Sequence, residues 1–131
     1  MTEAIHYYSD TIDPVVLSSP TDVFLITIEA KPKPNTDKAK EYAGAFCNCW
    51  VNANDLRSAE RRTVEVMEEQ NWIPFRFDDW SLVNRDFYRD WKPKDEDDLD
   101  IRDFPDQALI DGEIFVAHTF PIDAPDADQT D

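Results

Sequence analysis

Glycine is almost missing from this chain: 131 residues contain two, Gly44 and Gly112. Backbone can approach a phosphate closely only where side chains are absent, so glycine-rich phosphate loops and dinucleotide fingerprints are excluded. Basic residues are also scarce, 13 against 29 acids, for a net charge of −16. Binding to DNA or to anionic lipid needs clustered Lys and Arg, so neither direct nucleic-acid binding nor membrane binding is expected. The two cysteines, Cys47 and Cys49, do not make a secreted disulfide framework. The best apolar run, Val23 to Ile28, is far too short to span a bilayer. Met1 to Asp10 has acids and a histidine where a signal peptide needs a basic segment and then an apolar one. A cytoplasmic location is the expectation.

What is present suffices for a folded chain. Apolar residues make up 41% and aromatics 12%, too rich for a wholly disordered polypeptide despite the charge. A chain of this length is most simply one domain burying roughly two-thirds of its unfolded surface. We read residues 1–20 as an N-terminal arm, 21–121 as a single domain and 122–131 as an acidic tail. The charge is uneven: residues 1–94 carry 16 acids and 12 bases, whereas residues 95–131 carry 13 acids and one base, Arg102.

Val23 to Ala30 is the clearest strand, with Phe24, Ile26, Ile28 and Ala30 on one face and Val23 and Leu25 apolar on the other. Such a strand belongs in a sheet partly covered on both sides. Lys31-Pro32-Lys33-Pro34 stops it, because proline cannot donate to a ladder. Thr36 is placed to cap a short helix ending near Gly44. Ala45 to Ala53 reads as a second strand: Ala45, Cys47, Cys49, Val51 and Ala53 face one way, and Phe46, Asn48, Trp50 and Asn52 the other. The main helix runs from about Asp55 to Gln70, burying Leu56, Ala59, Thr63, Val66 and Met67 and closed by Asn71. Ile73, Phe75 and Phe77 mark a third strand near an edge, since it holds Pro74. Asn84 to Trp91 reads as a short helix. Pro105 to Asp111 reads as a brief helix ended by Gly112, against a competing hairpin across Asp111-Gly112. Glu113 to Phe120 is the last strand, with Ile114, Val116, His118 and Phe120 on one face. The sum is an α+β fold: a mostly antiparallel four-stranded sheet with one main helix on one face and a short second helix.

Several constellations invite a chemical reading, and most have a plainer one. Cys47 and Cys49 could ligate zinc with His6 and His118, but their neighbours on the strand are Ala45, Val51 and Ala53, the surroundings of core cysteines. No metal and no cofactor is therefore expected. His118 could act as a general base with Asp111, Asp78 or Asp79, but its alternation with Ile114, Val116 and Phe120 makes a satisfied histidine at the core edge the expectation. No catalytic residue is assigned. Arg76 to Lys94 interleaves bases with Phe77, Trp80, Phe87, Tyr88 and Trp91, as a single-strand binder would, yet Asp78, Asp79, Asp86 and Asp90 cancel that charge locally. Closing the sheet is the favoured role for those aromatics.

Two surfaces remain. Asp95, Glu96, Asp97, Asp98, Asp100 and Asp103 form an acidic stretch suited to a basic protein partner, such as a nuclease-type toxin or a nucleic-acid-binding protein. Phe46, Asn48, Trp50 and Asn52 are too apolar for open solvent and too polar for a dry core, which suits a ligand cleft, a homodimer face, or cover by the 84–91 helix. The leading expectation is a small non-enzymatic interaction or inhibitor module using its acidic C-terminal third. The alternatives are a small enzyme or ligand binder using the face around Trp50 and His118, and a dimeric housekeeping domain whose acidity only keeps it solvated. If the acidic stretch binds a basic protein, neutralising its six acids will abolish that binding and added salt will weaken it in a pull-down; undiminished capture would remove the idea.

Overall fold

The computed structural model describes residues 7–10, 12, 19–92 and 100–121. Their elements follow in the order β1 (Val23–Pro32), α1 (Asp37–Glu41), β2 (Tyr42–Val51), α2 (Leu56–Glu69), β3 (Trp72–Val83), a 3₁₀ turn (Arg85–Tyr88), α3 (Phe104–Asp111) and β4 (Glu113–Pro121). The four strands form one open antiparallel sheet in the order β3-β1-β2-β4. The fold class is α+β, with α2 as the main helix and α3 as a short second one. No described helix is long and apolar enough to cross a membrane.

β1 is central because both of its faces are apolar. Phe24, Ile26, Ile28 and Ala30 are buried against Leu56, Ala59 and Met67 of α2, together with Ala45, Cys47, Cys49 and Val51 of β2. Burying each large aliphatic or aromatic side chain there contributes about 1.5–3 kcal/mol. Val23, on the opposite face, joins a second cluster with Trp50, Val83, Tyr88 and Ala108. The sheet is thus covered on both sides, but the second cover is partial.

α2 starts at Asp55, whose carboxylate accepts from the Ser58 amide at 2.8 Å and is held below the usual carboxylate range by hydrogen bonding to Ser58. It ends where Asn71 turns left-handed at φ 67°, a conformation asparagine tolerates. The buried stripe has the five residues expected and one that periodicity in apolar residues could not reveal, Glu60. The Ser9 hydroxyl donates to Glu60 Oε1 at 2.6 Å, Arg57 pairs with Asp10 and covers the Tyr7 ring, and Tyr7 stands edge-on to Phe77 at 5.3 Å. Residues 7–10 of the arm are therefore anchored on α2 rather than extended away from it.

Four local expectations need correction. α1 ends at Glu41, and Gly44 lies inside β2, where its role is clearance: a Cβ there would stand 2.8 Å from the Phe120 ring and 3.1 Å from the Ala30 carbonyl oxygen. Thr36 precedes α1 but its hydroxyl donates to the Lys33 carbonyl, not to the helix. The third strand extends to Val83, with two register shifts against β1, one at Asp78 and one beside Pro74, which supplies no ladder donor. Residues 84–91 then make one 3₁₀ turn rather than a helix. Gly44→Ala will destabilise the fold by about 1–3 kcal/mol through overpacking. Adding Phe120→Leu will recover part of that loss in urea titrations, because the ring is the nearest obstacle.

Candidate functional site

The face of the sheet opposite α2 carries the candidate site. Register aligns Leu25 with Trp50 and Thr27 with Asn48 between β1 and β2, and Trp50 with Ile114, Asn48 with Val116 and Phe46 with His118 between β2 and β4. Side chains alternate across a strand, so all of these project to the same side. At one end of the face, α3 covers Trp50, with the Phe104 ring edge-on at 5.0 Å. Gly112, at φ 99°, ends α3, and its carbonyl accepts from the Asn52 amide at 2.9 Å.

The 3₁₀ turn forms the facing wall. Asn84 caps it by accepting from the Asp86 and Phe87 amides at 2.9 and 3.3 Å. Its own amide group donates to Asp22 beside the start of β1 at 2.8 Å. This clamp sets Phe87, Tyr88 and Trp91 over the sheet. Between wall and floor lies a cleft of about 310 Å³ lined by Leu25, Asn48, Trp50, Phe87, Tyr88, Trp91, Ile101, Val116 and His118, at the small end of the roughly 300–1,000 Å³ typical of ligand sites.

Its polar groups are few. The Trp50 indole N–H donates to the Tyr88 hydroxyl at 3.0 Å inside the fold, and burial raises the Tyr88 pKa although that bond opposes the shift. Thr27 donates to Asn48 Oδ1 at 2.8 Å, leaving the Asn48 amide nitrogen without an acceptor among the described residues. His118 is exposed, not satisfied at the core edge as expected. No described carboxylate meets it: Asp79 accepts from the Trp80 amide on a strand three spacings away, roughly 14 Å, and Asp78 lies beside Arg76. Asp111 ends α3 before β4 begins.

Of the four face residues anticipated from sequence, Asn48 and Trp50 line the cleft. Phe46 lies beyond it, paired with the Phe120 ring at 5.6 Å and 45% exposed. Asn52 lies past the end of β2, where its side chain donates to the Leu109 carbonyl at 3.4 Å. It braces α3 and takes no part in the cleft. Cover by the 84–91 segment holds for Trp50 and stops short of Phe46.

A second, polar cavity of about 390 Å³ adjoins the first through Tyr88, which lines both; the rest of its wall is Arg85, Arg89, Asp100, Arg102 and Asp103. Arg85 pairs with Asp103 and Asp106 at 2.7 and 3.1 Å. Arg102 grips Asp100 through two nitrogens, holding its carboxyl down at about 2. Asp100 and Asp103 of the anticipated acidic surface are thus each engaged by an arginine of this chain. Asp95, Glu96, Asp97 and Asp98 lie outside the described residues.

Sequence reasoning passed over the arginines of this cavity and the cleft wall, although the interleaved aromatic and basic residues of 76–94 were their trace. The fold separates that pattern: Phe77 and Trp80 pack with the α2-side core, Phe87, Tyr88 and Trp91 line the cleft, and Arg85 and Arg89 line the polar cavity. The carboxylate pairs of the sequence also hid a cross-strand one, in which the hydrogen bond to Asp78 raises the Glu29 pKa while Arg76 opposes the shift.

Cys47 and Cys49 are fully buried in the α2-side core, and burial pushes both thiols up to about 12. Among the described residues no group of three or more His, Cys, Asp or Glu is placed to hold a metal ion. Comparisons with protein-family models, curated proteins and solved structures gave no match to this chain. An unfolded thiol releases its proton near 9.0, whereas these keep theirs to about 12, so between those limits the folded state binds more protons. The stabilisation this represents is present below pH 9 and will be lost as pH rises toward 12. Urea titrations across that range check it: a Cys47→Ala/Cys49→Ala variant will show a shallower loss, the remainder coming from groups such as Tyr88 whose pKa is also raised by burial.

Proposed function

We propose that this chain is a small-molecule-binding module whose ligand occupies the cleft beside Trp50. The observation that carries the reading is the cleft itself: an aromatic-walled hollow, held open by the Asn84 clamp, with a few polar groups converging on it. This is the architecture of a ligand site, apolar for affinity and sparingly polar for orientation. The lining favours binding over bond making, because no described carboxylate stands against His118 and neither thiol reaches the surface.

The acidic C-terminal third supports a second proposal, docking of a basic protein, through the 13 acids against one base over residues 95–131. A partner reaching Asp100 or Asp103 would have to displace Arg102 or Arg85, which makes the cleft the better supported site.

A fragment screen read by the tryptophan indole N–H resonances tests the cleft. Bound fragments will move the Trp50 and Trp91 signals and leave that of Trp72, buried in the α2-side core, in place. Val116→Trp, which fills the floor, will abolish those shifts while near-ultraviolet circular dichroism stays native-like. A screen with no shift at Trp50 or Trp91, or shifts that survive the filled floor, would overturn the reading.

A further inference from the structure

We infer that the ligand is a planar aromatic molecule carrying an anionic group, its ring in the Trp50 cleft and its anion in the adjoining arginine-lined cavity. This inference rests on the ligand-binding reading of the cleft and adds the chemical class of the occupant. Three features converge on it.

The two cavities meet at Tyr88, which lines both. They are linked again where Arg102 lies over the ring of Trp91, 5.9 Å from its centroid. A molecule seated against Phe87 and Trp91 therefore has guanidinium groups at its margin.

Among the described residues the Tyr88 hydroxyl has no acceptor. Tyr88 is 5% exposed, and its oxygen receives the Trp50 indole proton, so its own proton is directed elsewhere. No described residue accepts it. A buried hydroxyl with an unused proton costs stability and is normally satisfied. A carboxylate, phosphate or sulfonate oxygen of a ligand is an acceptor suited to that proton. Burial raises the Tyr88 pKa, which keeps that donor protonated at neutral pH.

The polar cavity concentrates guanidinium groups on a strongly acidic chain: three arginines and two aspartates line it, with Asp106 and Asp86 beside Arg85 and Arg89. Arg89 is the least committed of the three, its one described ion pair being with Asp86 at 3.9 Å, beyond hydrogen-bonding distance. Arg102 commits Nε and Nη2 to Asp100, leaving Nη1. A guanidinium offers five N–H donors, so an anion can be received at Arg89 and Arg102 without expelling an aspartate. Charge-assisted bonds of this kind are the strong ones.

Two fluorescent probes with the same aromatic body separate the terms: anilinonaphthalene sulfonate, which is anionic, and phenylnaphthylamine, which is neutral. Both are titrated against the full chain at low salt. The sulfonate will bind about tenfold more tightly than the neutral probe, despite the repulsion expected from the net charge. Arg89→Gln will weaken the sulfonate about tenfold and leave the neutral probe within about twofold. Tyr88→Phe will weaken the sulfonate more than the neutral probe, with native circular dichroism confirming that each variant folds. Equal affinity for the two probes, or a sulfonate indifferent to Arg89→Gln, would overturn the inference while leaving an aromatic cleft in place. Binding of neither probe, with no fragment shifts at Trp50, would remove the cleft reading and this inference together.

Discussion

The double-sided apolar character of β1 organises the rest of the molecule. A strand with Phe24, Ile26 and Ile28 on one side and Val23 and Leu25 on the other must be flanked by strands and covered on both faces. α2 meets the first demand with a continuous apolar stripe. The second is met by a shorter set of parts, α3 and the 3₁₀ turn, which cover the sheet at Trp50 and leave it open beyond Asn48. The cleft is the geometric remainder of that incomplete second layer, and its aromatic walls are the groups recruited to close it.

Electrostatics in this chain are local. Its arginines are mostly matched with nearby carboxylates: Arg62 with Glu113, Glu65 and Glu69, Arg85 with Asp103 and Asp106, Arg102 with Asp100. Most of these pairs are exposed, and exposed pairs contribute about 0–1 kcal/mol each. Their main effect is positional. Arg62 ties α2 to the start of β4, and Arg85 ties the 3₁₀ turn to α3. The surplus of acids is therefore not uniformly available to a partner, and the polar cavity beside Tyr88 is a region where the balance of lining charges reverses.

Periodicity made the α2-side core legible before any coordinates, because a strand pattern at β1 and β2 and a helical pattern at α2 both repeat apolar residues on one face. The α+β class and the closing Gly112 followed from equally local signals. Glu60 was hidden because its burial depends on Ser9, 51 residues earlier, a pairing no local pattern reports. Asn84 to Trp91 looked helical from its composition, yet the Asn84 cap and the tight contact of Tyr88 with Trp50 fix a single turn. The Trp50 face was recognisable as half apolar, but the cleft required knowing which residues lie opposite. Its walls come from β1, β2, β4, the turn and the segment before α3, and only register and packing bring these together. Asn52 shows a different limit: alternation assigned it to the Trp50 face, and its side chain does reach α3 on that side, but at the end of the sheet away from the cleft.

The strand order has a consequence for which part of the cleft opens most readily. β1, β2, α2 and β3 precede β4 in the chain, and β1 already lies between its two neighbours without it. Val116 and His118 belong to β4, which follows the other three strands in chain order. The part of the cleft floor that Val116 and His118 supply therefore sits at an edge where pairing is with β2 alone. Edge elements open at lower free energy than central ones, so the same strand that completes the cleft is the one whose fraying would dismantle it without unfolding the rest.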